Sequence, residues 1–385
     1  MLKIDQPIDA YAADRVPPVA YVLTGCIGVI GCNSLSLGPI APAVAASLGT
    51  GVPTVMMAAS AFGLGTAASA LFLARHIDRV GQWRMLRLAM AGFAAVLLLS
   101  AIAPDVRLLI AAQLVAGVAS GIALPAIYGG AAAVAPRGRE SRTIGIVLTG
   151  WTLSMVAGVS LSALVADFVH WRAVYAIVAG LALAALAALS LAGRDRQLSG
   201  SSPLPLAALK TPGVKRLLVA CGAFMAAFYG VYGYLGDHLH EALGQAVSVN
   251  GVAALVYGFG FGGAALLDGI VDRIGAKRLM PFAFLAVALV YVLIALGAES
   301  AAVLITLAFF WGLTNHFGLN ILIMRLTALD PAQRGTIMGL NSAVTYFAVF
   351  AGTSGFGPIY ATYGFAACAA LAVGLMLVSV VSALR

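Results

Sequence analysis

Apolar and polar positions along the chain separate into long unbroken apolar runs and short polar breaks. Twelve runs stand out, at about 19–47, 53–74, 85–103, 108–134, 143–166, 173–193, 217–236, 248–268, 279–298, 301–326, 336–358 and 364–384. A bilayer core about 30 Å thick is crossed by about 20 helical residues, so every run is long enough to span it. A β-barrel would instead show segments of about ten residues with alternating character, and none is visible. The pattern predicts an all-α, polytopic membrane protein with 12 transmembrane helices.

Composition sharpens this reading. Of 385 residues, 62% are hydrophobic and only 9% charged, whereas soluble domains carry about 25% charge. A water-soluble globule is excluded. The formal net charge of +8 does not point to nucleic acid, because the basic residues are dispersed through the short breaks. Counted by side, all of the 22 Lys and Arg except Arg107 and Arg172 fall on one face of the membrane. The excess of Lys and Arg in cytoplasmic loops then places both termini and the central loop in the cytoplasm, as in a cell inner (plasma) membrane protein. Residues 1–18, with Asp5, Asp9 and Asp14, read as a cytoplasmic tail rather than a removable leader. Cys26, Cys32, Cys221 and Cys368 all fall within runs and read as packing residues.

The break after the second run contains Asp78-Arg79-Val80-Gly81 and Arg84, and the break after the eighth contains Asp272-Arg273-Ile274-Gly275, Lys277 and Arg278. The copies stand 194 positions apart, at the same place in each set of six spans. The chain therefore divides into two pseudo-symmetric six-helix bundles, 19–193 and 216–385. The polar, Pro/Gly/Ser-containing stretch 194–215 reads as a cytoplasmic linker. These residues resemble the loop 2–3 signature of the major facilitator superfamily, Gly-x-x-x-Asp-Arg-x-Gly-x-Arg/Lys-Arg/Lys. Both copies lack the first glycine, replaced by Ala74 and Asp268. The resemblance covers essentially the whole chain and implies a transporter working by alternating access. It also implies a conformational gate at Asp78, Arg79, Gly81, Arg84, Asp272, Arg273, Gly275 and Arg278. In that gate Asp78 would meet the start of span 11 near Gly335, and Asp272 the start of span 5 near Thr143, each carboxylate facing the positive end of a helix.

An enzyme in the membrane would need His, Asp, Glu or Cys within mutual reach, and the sequence shows no such constellation, so no catalytic residue is assigned. Asp237, His238, His240 and Glu241 form the one dense titratable group and read as a solvated loop rather than a metal site. No cofactor is expected. A phosphate-binding Gly-Lys-Ser/Thr sequence is absent, so a gradient or an ATPase on another chain must drive transport.

Secondary transporters bind substrate near the midplane between repeats. The polar and aromatic residues there are Asn33 in span 1, Gln113 and Tyr128 in span 4, Tyr229 and Tyr232 in span 7, and Trp311, Asn315, His316 and Asn320 in span 10; Trp151 in span 5 and Asn341 in span 11 complete the wall. His316 is the only histidine well inside a run, and its charge can change near neutral pH, which makes it the proton-coupling candidate. Neutral amides and aromatics with no embedded acid or base suit a small neutral or amphipathic organic solute.

The overall look resembles bacterial efflux permeases, which implies proton-coupled efflux by a monomer. Drug and proton antiporters of the family carry an arginine where this chain has Gln113, and a proline where it has Val159. An uptake symporter or uniporter of the same fold stays open as the alternative.

Overall fold

A computed structural model describes residues 17–73, 76–136, 140–192, 205–330 and 333–384; the side chains of residues 78, 79, 140–142, 192 and 272 also lie outside the described set. Among the described residues there are helices and turns and no strand. Spans 1 to 4 are Pro18–Leu48, Val52–Phe72, Gln82–Ala101 and Val106–Val134. Span 5 runs as Glu140–Leu153, a π-helical stretch Ser154–Val159, and Ser160–Phe168. Span 6 is Trp171–Ala192, and span 7 is Val214–Asp237 continued by the π turn His238–Ala242. Spans 8 to 10 are Val247–Gly263, extended by the 3-10 turn Ala264–Leu267, then Ala276–Leu296 and Ala301–Leu329.

The remaining 51-residue helix, Arg334–Leu384, is interrupted at Gly364 (φ 79°, ψ −175°), which separates span 11 from span 12. Twelve crossings result, in agreement with the apolar runs. Below, the side on which span 1 begins and span 12 ends is the terminal side, and the opposite one the distal side.

One segment differs in kind from its sequence reading. Asp237, His238, His240 and Glu241 do not form a solvated loop; they continue span 7 as helix. Asp237 is buried, a His238 Nε2 contact of 2.6 Å to the Ala298 carbonyl secures the turn, and the His238 ring stacks on Phe365 at 4.7 Å. These polar side chains find partners at the membrane boundary, so they do not end the helix. Among the described residues no group of three or more His, Cys, Asp or Glu is placed to hold a metal.

Lipid tails are as apolar as leucine, so helices in a bilayer associate through close packing, and small residues allow that closeness. Here glycines set the pairs. Gly65 and Gly117 bring spans 2 and 4 together so tightly that a methyl group on either would strike the Leu114 or Phe62 carbonyl. Gly260 and Gly312, each 195 positions later, do the same for spans 8 and 10, against the carbonyls of Phe309 and Tyr257. A second set joins span 1 to span 5 through Gly150 against the Thr24 carbonyl. Its counterpart, 202 positions on, joins span 7 to span 11 through Gly352 against the Ala226 carbonyl. The two bundles are thus built on the same pairing scheme, repeated along the chain.

The paired loop motifs also match. The short helices Ile77–Val80 and Gly269–Ile274 end at Gly81 (φ 95°, ψ 132°) and Gly275 (φ 92°, ψ 131°). Side chains disfavour that positive-φ region, so glycine is required to turn the chain directly into span 3 or span 9.

Candidate functional site

Span 1 carries Pro39 and Pro42 inside a continuous helix. Proline has no N–H, so the carbonyl four residues earlier loses its helical partner. Pro39 frees the Leu35 carbonyl and Pro42 frees that of Gly38. Both face the other bundle. The Tyr232 hydroxyl of span 7 donates to the Leu35 oxygen at 3.2 Å. Gly236 of span 7 packs on the Gly38 oxygen closely enough that a methyl group there would lie 2.8 Å from it. In addition, Asn250 Nδ2 of span 8 donates to the Pro39 oxygen at 2.8 Å. Pro39 thereby gives span 7 an acceptor in the Leu35 carbonyl, while span 8 bonds the carbonyl of Pro39 itself.

Other contacts between the bundles occupy the same half of the membrane. Ser60 of span 2 and Thr353 of span 11 share a hydrogen bond of 2.6 Å. Gly251 of span 8 abuts the Ser160 carbonyl of span 5, and the Ser248 amide donates to Asp167 at 3.1 Å. Nearer the middle, Gly63 of span 2 meets the Tyr346 carbonyl of span 11. Most of these lie in the distal half of the membrane, and Gly258 and Gly262 of span 8 also meet Val156 and Thr152 of span 5 nearer the terminal side.

At the inner edge of the distal contacts lies an aromatic cluster. Phe228 stacks on Tyr232 at 5.3 Å and sits 5.4 Å from Trp311, which also meets Tyr257 at 5.2 Å and Tyr291 at 5.7 Å. Tyr229 packs against Phe228 at 5.0 Å. Asn315 Nδ2 donates to the Tyr257 hydroxyl at 3.0 Å. Pro39, Tyr232, Asn250, Tyr257 and Trp311 enclose a cavity of about 10 Å³, room for about one water. Three of the residues named from sequence, Tyr232, Trp311 and Asn315, therefore converge, with Tyr229 at the margin.

Others are engaged elsewhere. Asn33 Nδ2 donates to Gln113 Oε1 at 2.9 Å, and Gln113 Nε2 donates to Ser100 at 3.1 Å, a chain joining spans 1, 4 and 3 inside the first bundle. Trp151 Nε1 donates to the Tyr128 hydroxyl at 3.3 Å, across spans 5 and 4. Asn341 is buried, and its Oδ1 has no protein partner. Of the gate residues, the side chains of Asp78, Arg79 and Asp272 lie outside the described set; Arg84, Arg273 and Arg278 are exposed beside their glycine turns.

His316 is not alone in the membrane. Its Nε2 lies 3.0 Å from Asp268 Oδ1, and Asn320 Nδ2, one helical turn further on, donates to the same oxygen at 2.8 Å. The sequence reading placed Asp268 at the cytoplasmic end of its run and did not join it to His316. Asp268 follows the last turn of span 8, 48 positions before His316, and linear spacing gives no sign of the contact. Sequence reasoning also passed over Asn250, although an amide in the otherwise apolar span 8 is a readable signal, and Phe228 and Tyr257, which look like ordinary span residues.

Comparison with known proteins is decisive for the family. The family model described as Major Facilitator Superfamily matches residues 23–353. The chain belongs to the major facilitator superfamily. Among its relatives, the MFS-type transporter YwfA of Bacillus subtilis (strain 168) is 25% identical over 368 residues, covering 92% of this chain and 89% of that protein. The chloramphenicol resistance protein of Streptomyces lividans is 28% identical over 339 residues, covering 84% of each. The fold is shared with a crystal structure of the nucleoside transporter NupG (TM-score 0.76, 15% identity, 95% of this chain and 98% of that one). It is also shared with the human organic anion transporter MFSD10 (TM-score 0.70, 16% identity, 98% of this chain and 100% of that one). The chain is a multi-pass transporter of this family.

Proposed function

We propose that this transporter exports a small neutral or weakly amphipathic organic solute by alternating access, in exchange for protons, across the cell inner membrane. Its termini lie in the cytoplasm, so an arrangement with most inter-bundle contacts on the distal side corresponds to a pathway facing the cytoplasm. The reading is carried by one observation: the aromatic and amide cluster of Tyr232, Tyr257, Trp311 and Asn315 lies directly beneath the seal that spans 7 and 8 make on span 1. Aromatic faces with a few neutral hydrogen-bonding groups fit an uncharged solute, since a charged one would be desolvated here without a counter-ion. Similarity to the chloramphenicol resistance protein supports the outward direction. His316 is the candidate proton carrier, and the Asp78 and Asp272 loops the candidate gate on the cytoplasmic side.

An uptake symporter or uniporter is the second reading, favoured by Gln113 and Val159 where antiporters of the family have arginine and proline. Proteoliposomes separate the two. With chloramphenicol as the first trial solute, flux is expected to saturate and to accelerate when a proton gradient opposes solute movement. Acceleration only when protons and solute move together would replace export by uptake. Flux that ignores the gradient would leave a uniporter.

A further inference from the structure

The linker enters the second bundle through the 3-10 turn Pro205–Lys210, and span 7 begins three residues later at Val214. Lys210, Thr211, Gly213, Lys215 and Arg216 line a cavity of about 280 Å³ at this terminal-side junction. The bundle itself holds the walls in place, with Pro205 beside Gly339 of span 11 and Gly213 beside Leu329 of span 10. Basic residues at this end are what orientation in the membrane requires. Three features go beyond that requirement.

The start of span 7 is uncapped. A helix leaves its first amides without backbone acceptors, and a Ser, Thr, Asp or Asn side chain usually supplies one. The N-cap here is Gly213 (φ 86°), and no side-chain cap forms. The first-turn amides of Lys215 and Arg216 have no backbone acceptor either. Within the cavity wall Thr211 is only 8% exposed, and its hydroxyl has no hydrogen-bond partner. A buried hydroxyl left unpaired is costly, so a ligand oxygen would supply what the protein does not. Charge completes the pattern. Lys210, Lys215 and Arg216 are exposed around the cavity, and among the described residues none of them takes part in an ion pair. Arg325 of span 10, which donates to the Ala383 carbonyl at 3.4 Å, stands within repelling range of Arg216. Asp330, which follows Leu329, accepts from Gln333 at 2.8 Å.

All three features select an oxyanion. It accepts from amides at the positive end of a helix, accepts from a threonine hydroxyl, and is neutralised by Lys and Arg. A cation would be repelled. A phosphate group offers more acceptor oxygens than a carboxylate, and this set of donors can use them.

We propose that the cavity binds one phosphate group, held by the Lys215 and Arg216 amides, the Thr211 hydroxyl and the charged ends of Lys210, Lys215 and Arg216. Two sources present that chemistry at this side of the bilayer: the headgroup of an anionic phospholipid and phosphate in solution. The site is separate from the solute cluster, since Tyr232 stands 19 positions beyond Gly213, about 28 Å along the helix. It stands or falls independently of the solute, direction and coupling proposed above.

Isothermal titration calorimetry of the purified, delipidated full-length protein needs no transport. The probes are dioctanoyl phosphatidylglycerol, dioctanoylglycerol as the same lipid without its phosphate, and inorganic phosphate. One phosphatidylglycerol or one inorganic phosphate is expected to bind per transporter, with dioctanoylglycerol at least tenfold weaker. The tighter of the two phosphate ligands identifies the source. Thr211→Val keeps the side-chain shape and removes no bond the protein makes, so the fold is retained; it should weaken that ligand about tenfold, the worth of a hydrogen bond to a charged group. Lys215→Gln combined with Arg216→Gln should weaken it at least tenfold. Lys277→Gln, which removes an exposed charge beside the Gly275 turn on the same side, should leave it unchanged. Absence of binding by both phosphate ligands would overturn the proposal. So would equal affinity for dioctanoylglycerol, unchanged affinity in Thr211→Val, or a loss in Lys277→Gln as large as in the double variant.

Discussion

The distal seal depends on a carbonyl that Pro39 leaves without its helical partner, and this can be measured. Tyr232→Phe keeps the ring and its stacking on Phe228 but deletes the donor to Leu35. A hydrogen bond between helices in a membrane is worth about 0.6 kcal/mol, rising to about 1.7. A buried carbonyl left unpaired costs about 1–3 kcal/mol. Opening gives the Leu35 oxygen access to water, so only part of that cost is recovered, and about 1 kcal/mol is the expected net shift toward the distally open form. Since 1.4 kcal/mol is about tenfold, the open population should rise about fivefold.

The assay is labelling, in a background with the four native cysteines replaced, of Ala254→Cys, which lines the cavity under the seal. A membrane-impermeant maleimide added from the distal side should react about fivefold faster in Tyr232→Phe. The decisive arm is Pro39→Ala. Restoring the N–H at position 39 lets the helix satisfy Leu35 itself, so Pro39→Ala alone should speed labelling. Adding Tyr232→Phe should then have little further effect, a coupling of about 1 kcal/mol between the two sites. Equal effects of Tyr232→Phe in both backgrounds would refute the idea that proline creates the acceptor.

The glycine pairs give a stability prediction: Gly117→Ala and Gly312→Ala should each destabilise the protein by about 1–3 kcal/mol through overpacking. Gly263→Ala, which meets nothing within 4 Å, should leave the detergent melting temperature nearly unchanged. Gly81→Ala and Gly275→Ala force a side chain into positive φ at a cost of about 1–3 kcal/mol each, and should slow transport cycling with normal membrane insertion, read by flux per inserted molecule. Trp311→Ala removes the hub of the aromatic cluster and should weaken chloramphenicol binding at least tenfold by equilibrium dialysis, whereas Phe168→Ala, 78% exposed on the distal surface, should not.

Much of the architecture is readable because the bilayer imposes one length scale on every apolar run. The spans lie within a few residues of the runs, and the excess length consists of polar ends that remain helical. What the runs hide is contact. Asn33 and Gln113 look like pathway residues in isolation, but they hydrogen-bond each other inside one bundle. Asp268 reads as the last residue before a loop, and only the packing of span 8 on span 10 brings it to His316. Pro39 and Pro42 signal a bend; their larger effect is to release carbonyls, visible only once Tyr232 and Gly236 are in place. The titratable group after span 7 misleads because hydropathy sees four polar residues and not the Ala298 carbonyl or the Phe365 ring that receive His238.

The joint at Gly364 constrains how this molecule moves. A single residue separates spans 11 and 12, so no slack is available to absorb a change in their separation. Span 11, which carries Thr353 of the distal seal, cannot swing without dragging its neighbour along. The pair behaves as one hinged plate, and a few extra residues spliced in at that point would break the linkage and leave the plate's two leaves free to move apart.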